Sequence, residues 1–82
     1  MAQKETVVQR MVVQRIPQIM QNLGDPNYFS FGKHSVVARV VDADLISYST
    51  ARFKIRYLMK DERTGLTKYK GVVYHSEHVN GD

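Results

Sequence analysis

The stretch from Leu45 to Lys60, LISYSTARFKIRYLMK, constrains the fold of this chain more than any other. From Ala51 onward its odd positions are apolar, and from Arg52 onward its even positions are mostly basic. A period of two, with one apolar side and one charged side, is typical of a strand that has one face in a core and the other in water. The stretch therefore predicts a long amphipathic β-strand, with the other segments arranged as its cover and its neighbours.

Residues 4–23 predict a helix that covers the apolar side of this strand. The apolar residues of the segment form a single stripe at a helical period; they are Val8, Val12, Ile16, Ile19 and Leu23. Pro17 lies inside the segment, and a proline in a helix interior removes a backbone hydrogen bond. We therefore expect a kink or a break near Ile16. Gly24 and the following Asp25-Pro26 predict the end of the helix.

A tandem repeat, VVQRM followed by VVQRI at residues 7–16, complicates this helix. A repeat of five matches neither the helical nor the strand period, so the second copy is rotated by about 140° around the helix axis. Val7, Met11 and Val13 then fall outside the main stripe. Three interpretations stay open: neighbouring loops cover these side chains, the side chains form a second apolar face for a partner subunit, or VVQRMVVQR is partly a strand, since β-branched residues are abundant in it.

Residues 24–34 predict a loop with a dense aromatic cluster, because turn-forming residues stand on both sides of it. The cluster consists of Tyr28, Phe29 and Phe31. We expect it to close the open end of a small core, although a short extra strand in this region is an alternative. Residues 35–77 predict an antiparallel sheet, with strands at 35–41, 45–60 and 66–77, and residues 78–82 a frayed tail.

The turn at residues 62–65 predicts the register of the last two strands. It places Asp61 opposite Leu66. The inner-side pairs that follow are Phe53 with Tyr74, and Ile55 with Val72. On the outer side, the pairs are Arg52 with His75, Lys54 with Val73, Arg56 with Gly71 and Leu58 with Tyr69.

The sequence as a whole predicts a single α+β domain over residues 1–82, in which a helix kinked at Pro17 packs on a three-stranded antiparallel meander. A helix held by a curved sheet is similar to the architecture of cystatin-like domains, and this likeness concerns the architecture alone. A chain of 82 residues buries only about 60–65 % of the surface that its unfolded form exposes. Dimerisation would therefore bury useful additional surface.

The composition excludes several classes of protein. The chain has no cysteine, which excludes a disulfide framework, a thiolate zinc site and a cysteine nucleophile. No apolar run is long enough to span a bilayer, and residues 1–6 are polar with no hydrophobic signal core behind them. The compartment stays open between the cytoplasm and, if a signal segment has been removed, the periplasm or the cell exterior.

The net charge is +4, and the bases concentrate on the predicted outer face of the sheet. The candidate binding residues on this face are Arg52, Lys54, Arg56 and Tyr69. Cations beside aromatic rings are typical of sheets that bind single-stranded nucleic acid. A solvated face gives the same pattern, since long basic side chains also cover apolar neighbours. Leu58 and Val73 on the same predicted face favour a protein contact.

No catalytic site or metal site is predicted. His75, Glu77 and His78 resemble metal ligands, but on a strand His78 points away from the other two side chains. No serine stands in a pattern with a base and an orienting acid, and no glycine-rich phosphate loop is present. We therefore expect no enzyme, no cofactor and no small-molecule substrate.

These patterns together predict a small non-enzymatic interaction domain. We expect it to self-associate as a homo-oligomer and to bind a protein or peptide through a sheet edge or through the flank of its helix. The alternative is the binding of single-stranded nucleic acid through the basic outer face of the sheet.

Overall fold

The fold of the chain is taken from a computed structural model that describes residues 3–79, and the side chains of residues 7–79. It is a small α+β fold with two helices followed by four strands. In chain order the elements are α1 (Gln3–Gln14), α2 (Ile16–Gln21), β1 (Asn27–Phe31), β2 (His34–Ser47), β3 (Thr50–Asp61) and β4 (Thr67–His78). The strands form one antiparallel sheet in the order β1-β2-β3-β4. The predicted class and strand orientation are confirmed, whereas the predicted number of three strands is wrong.

The predicted single helix is divided at Arg15, which leaves the helical conformation at the start of α2. Pro17 lies in the first turn of α2, where the missing N–H of a proline has no intrahelical partner to lose. The Arg15 guanidinium lies 5.2 Å from the centroid of the Phe29 ring and so connects the break to β1. On the two sides of the break, α1 packs near β4 and α2 near β2.

One stripe of both helices faces the sheet and is buried: Val8, Val12, Ile16 and Ile19. Full burial of a side chain such as Ile19 stabilises the fold by about 1.5–3 kcal/mol. Leu23, the last predicted member of the stripe, lies beyond α2 and is 56 % exposed. The helix ends at Gln21, with Asn22 as its C-cap, so the predicted end at residue 23 is two residues late.

The predicted aromatic loop contains the extra strand β1, in which burial alternates from residue to residue. Asn27 and Phe29 are buried, whereas Tyr28 and Ser30 are exposed. All five residues of β1 pair with β2, from Asn27 opposite Ala38 to Phe31 opposite His34. The aromatic residues at 29 and 31 thus belong to the sheet and contact the core, while Tyr28 points to the opposite face.

The inner face of the sheet, defined as the face on which the helices pack, is built on β3. Alternate residues of this strand are buried: Ala51, Phe53, Ile55, Tyr57 and Met59. They join the helix stripe and the inner residues of the neighbouring strands in one core cluster. The predicted amphipathic strand therefore has its apolar side in the core over this range.

The hairpin between β3 and β4 begins as predicted and then departs by one residue. The Asp61 N–H donates to the Leu66 carbonyl at 3.0 Å, as a turn at residues 62–65 requires. Lys60 pairs with Thr67 but Met59 pairs with Tyr69, so Lys68 is the extra residue of a β-bulge. The partner of Phe53 is consequently His75 and the partner of Ile55 is Val73. The predicted register beyond the turn is wrong by this single residue.

The second half of β2 extends beyond the core as a long arm, although its partners Ala51 and Phe53 on β3 are buried. Burial of β2 ends at Val40, and residues 42–47 are all exposed. Extra residues at Val41 and Ile46 shift the pairing of this arm with β3. At its end, Leu45 is 69 % and Tyr48 is 85 % exposed. The molecule is accordingly elongated, with extents of 48 × 27 × 17 Å.

Of the predicted frayed tail at 78–82, only residues 78 and 79 belong to the part of the chain that the structure describes. His78 is the last residue of β4, and Val79 donates its N–H to the Ser49 carbonyl at 2.9 Å. The side chain of Val79 packs against the core. These two residues are ordered parts of the sheet edge, and residues 80–82 lie outside the described residues. No helix in the described range is long and apolar enough to cross a bilayer.

Candidate functional site

The outer face of the sheet, which is opposite the helices, carries all three predicted basic site residues. Arg52 and Arg56 are exposed and Lys54 is half-buried, in alternation with the buried positions of β3. Both helices pack on the inner face, so in the described part of the chain no helix covers these side chains. The bases therefore face solvent.

Tyr69, the predicted stacking residue, lies on the inner face and not on the outer one. It pairs with the buried Met59 and packs against the core cluster. The bulge at Lys68 moves it there, since one extra residue reverses the face of every side chain before the bulge relative to those after it. For the same reason Val73 is buried in the core and Val72 takes its place on the outer face.

Near the arm of the sheet, the outer bases have partners. The Arg52 guanidinium lies 3.6 Å from a carboxylate oxygen of Asp44 and 5.1 Å from the centroid of the Tyr74 ring. Lys54 stands opposite Asp42 in the register of β2 and β3. In this half of the outer face the basic side chains therefore stand beside acidic ones, and the Arg52 guanidinium lies over the ring of Tyr74.

Towards the other half of the outer face, two arginines stand directly opposite each other. Arg39 on β2 pairs with Arg56 on β3, and both side chains are exposed. Among the described residues, no carboxylate lies within 4 Å of either guanidinium. Like charges in direct opposition destabilise a sheet. We call these two residues the arginine pair.

An apolar strip crosses the sheet beside the arginine pair. Tyr28, Val37 and Leu58 are in direct register across β1, β2 and β3, and Val72 on β4 stands beside Leu58, opposite Arg56. Tyr28 is 73 % exposed and the other three side chains are half-buried. We call Tyr28, Val37, Leu58 and Val72 the apolar strip.

Two hollows flank Leu58 and Arg56 on the outer face. One, of about 180 Å³, lies beside the start of β1, where β2 continues past it, and Pro26, Val37 and Val41 contribute to its lining. The other, of about 410 Å³, lies between β3 and β4 beside Lys70 and Val72. Both hollows are lined by apolar and basic residues, with Arg39 and Arg56 at the first and Arg56 and Lys70 at the second.

β4 is an edge strand of the sheet, and its far side offers unpaired backbone groups. Val79 donates its N–H towards β3, and the N–H groups of successive strand residues point alternately to the two sides. The backbone groups of Lys70, Val72, Tyr74, Ser76 and His78 therefore point away from β3. No backbone hydrogen bond within residues 3–79 joins them to another segment. We call this the free edge of β4.

The histidine and glutamate cluster at the end of β4 forms a pair and not a triad. His75 Nε2 lies 2.9 Å from a carboxylate oxygen of Glu77. His78 pairs with Thr50 and stands on the opposite face. Within residues 3–79, no three His, Asp or Glu side chains are arranged to hold a metal ion.

Arg39 and Tyr28 are the outer-face residues that the sequence alone did not assign to a site. In the sequence, Arg39 stands out as the one charged position in SVVARVV, and Tyr28 as part of the aromatic cluster. The pairing of β2 with β3 places Arg39 opposite Arg56, and the pairing of β1 with β2 brings Tyr28 into one row with Leu58. Comparisons of the chain with protein-family models, curated proteins and solved structures found no match. The likeness to a cystatin-like architecture stays a prediction from the order of the elements.

Proposed function

We propose that this chain is a non-enzymatic interaction domain that self-associates by pairing the free edges of β4 from two copies. The observation that supports the proposal is the length of this edge, because β4 spans 12 residues and pairs on one side only. An unpaired strand edge is a ready template for another strand. Pairing two copies of one edge gives a closed two-fold dimer, the commonest symmetry of homo-oligomers.

The two ends of the free edge differ in how well they can pair with another strand. At the start of β4, the bulge at Lys68 and the charge of Lys70 are features that deter edge pairing. From Val72 to Ser76 the edge is regular, and the outward side chains are not charged. We therefore assign the contact to this segment. The flank of α1 is the weaker candidate, since Met11 packs against the core and leaves only Val7 and Val13 about half exposed.

The thin core gives the second argument for association. The molecule is 48 Å long, and residues 42–47 of β2 lie outside the core. Each backbone hydrogen bond across a new strand pair would contribute about 0.5–1.5 kcal/mol. Contacts between outward side chains such as Val72 and Tyr74 would add about 0.2–1 kcal/mol for each cross-strand pair.

The test is the molar mass measured by light scattering from low micromolar to high micromolar concentration. We expect a shift from monomer to dimer in the parent protein, and a monomer throughout this range in Ser76→Pro. Proline removes the outward N–H of Ser76 without removing a bond to β3, and its ring blocks an incoming strand. Ser76→Ala is the matched control and should dimerise like the parent.

Circular dichroism verifies that the Ser76→Pro variant keeps its fold. Should Ser76→Pro unfold, Ser76→Lys supplies the same block through charge on the edge. A parent protein that is monomeric at every concentration would contradict the proposal, and so would a folded Ser76→Pro variant that dimerises as strongly as Ser76→Ala.

A further inference from the structure

From the outer face we infer a second interaction surface, which adjoins the free edge of β4 at Val72: the apolar strip and the arginine pair bind an acidic amphipathic segment of a protein partner. The segment would carry large apolar side chains and carboxylates on the same side. This inference goes beyond self-association, because the surface lies on a face of the sheet and needs no second copy of the chain.

The first argument is the charge imbalance within one face. Arg52 and Lys54 stand by Asp44 and Asp42, whereas the arginine pair has no such neighbour among the described residues. Two guanidinium groups in direct opposition repel each other. A partner carboxylate placed between them would relieve this repulsion and accept charge-assisted, bidentate hydrogen bonds.

The second argument is the shape and polarity of the surface between the bases. The hollows of about 180 and 410 Å³ lie on the two sides of Leu58. Val37 and Val72 line one hollow each. Apolar pockets with a few charged groups at the rim are suited to anchor side chains such as leucine or phenylalanine, with the polar groups fixing their orientation.

The apolar strip also decides between two anionic partners. Single-stranded nucleic acid binds by stacking bases on aromatic rings along a basic groove. Here Val37, Leu58 and Val72 are aliphatic, Tyr69 lies on the inner face and Tyr74 holds Arg52. Tyr28 is left as an exposed ring beside the arginine pair. An amphipathic peptide uses both the aliphatic side chains and the cations, so the surface fits a peptide better.

The test is a selection of random dodecapeptides displayed on phage, with the full chain as target. We expect enriched peptides to combine Asp or Glu with large apolar residues. Their affinities, measured by fluorescence anisotropy, should fall at least roughly 10-fold on the double variant Arg39→Gln/Arg56→Gln. The variant Leu58→Ser should weaken the same peptides. Arg10→Gln, which changes an exposed arginine of α1, is the matched control and should bind like the parent.

Several results would overturn the inference. These are no enrichment, enrichment of peptides without an excess of acids, or equal affinity for the parent and the arginine double variant. Tighter binding of a labelled oligothymidylate than of the selected peptides would assign the surface to nucleic acid instead. The Ser76→Pro variant separates the two proposals, because loss of dimerisation with retained peptide binding leaves the outer-face site intact.

Discussion

The ring of Tyr57 on β3 lies against the backbone of Gly71, its partner on β4. A β-carbon built at position 71 would be 2.7 Å from the Tyr57 hydroxyl oxygen and 2.9 Å from the ring carbon that carries it. Tyr57 is 3 % exposed, so its ring has little room to withdraw. The absence of a side chain at Gly71 is what lets the tyrosine lie flat over the sheet and complete the core at this end.

Gly71→Ala should therefore destabilise the protein. A glycine-to-alanine change in a strand without a steric conflict stabilises by about 0.5–1 kcal/mol, whereas overpacking of a core costs about 1–3 kcal/mol. We expect the second effect to win, with a net loss of about 1–2 kcal/mol in the free energy of unfolding. Urea denaturation measures this change, with Ser76→Ala, an exposed position of the same strand, as the control. A more stable Gly71→Ala variant would show that the ring moves freely.

The two halves of the outer face predict opposite effects for the same substitution on β3. Arg56→Gln removes one member of the arginine pair and should stabilise the fold by about 0.2–1 kcal/mol. Arg52→Gln removes a partner of Asp44, and since both side chains are about half exposed we expect a loss below about 1 kcal/mol. Thermal unfolding checks this prediction: the melting temperature should rise in Arg56→Gln and fall in Arg52→Gln, each relative to the parent.

Salt separates this electrostatic effect from packing. At about 1 M salt the screening length is about 3 Å, so the difference between Arg56→Gln and Arg52→Gln should shrink towards zero. A difference of the same size at low and high salt would contradict the electrostatic explanation. In addition, Arg39→Gln/Arg56→Gln should be no more stable than either single variant, because the repulsion can be removed only once.

Asn27 holds the start of β1 through hydrogen bonds in a buried position. Its side chain is 4 % exposed, donates to the carbonyls of Asp25 (3.0 Å) and Ala38 (3.5 Å), and accepts from the Asn22 amide at 2.8 Å. Asn27→Ala should cost about 1–3 kcal/mol, since buried partners then lose their hydrogen bonds. Asn22→Ala, at an exposed position, should cost less. Thermal unfolding of the two variants checks the order, and equal losses would contradict it.

The buried faces of the helices and of β3 could be predicted from the sequence, because buried apolar residues recur with the period of a helix or of a strand. The stripe of Val8, Val12, Ile16 and Ile19 and the alternation from Ala51 to Met59 are both seen in the structure. The bulge at Lys68 could not be predicted in this way. Since Val72 and Val73 are both valine, the register with the bulge and the register without it each put a valine in the core. The contact of Tyr57 with Gly71 distinguishes the two registers, but this contact exists only in the folded state.

The site was harder to predict because it depends on pairings that span several strands. The salt bridge of Arg52 with Asp44 requires the extra residue at Val41 in the register of β2 and β3. β1 was predicted mainly as a loop, because Pro26 and Gly32 bracket a segment of only five strand residues. Without β1, the row of Tyr28, Val37 and Leu58 has no first member, and the predicted outer face shows Leu58 and Val73 as isolated apolar residues among the bases.

Amide hydrogen exchange resolves the proposed dimer contact residue by residue. Val72 and Tyr74 point their N–H groups to the free edge, whereas Gly71 and Val73 donate theirs to β3 by the alternation that Val79 sets. At low concentration we expect fast exchange at the first two amides and slow exchange at the other two. On raising the concentration, protection should appear at Val72 and Tyr74 alone. Protection at the flank of α1 instead would move the interface to Val7 and Val13, and unchanged exchange at every amide would remove the dimer.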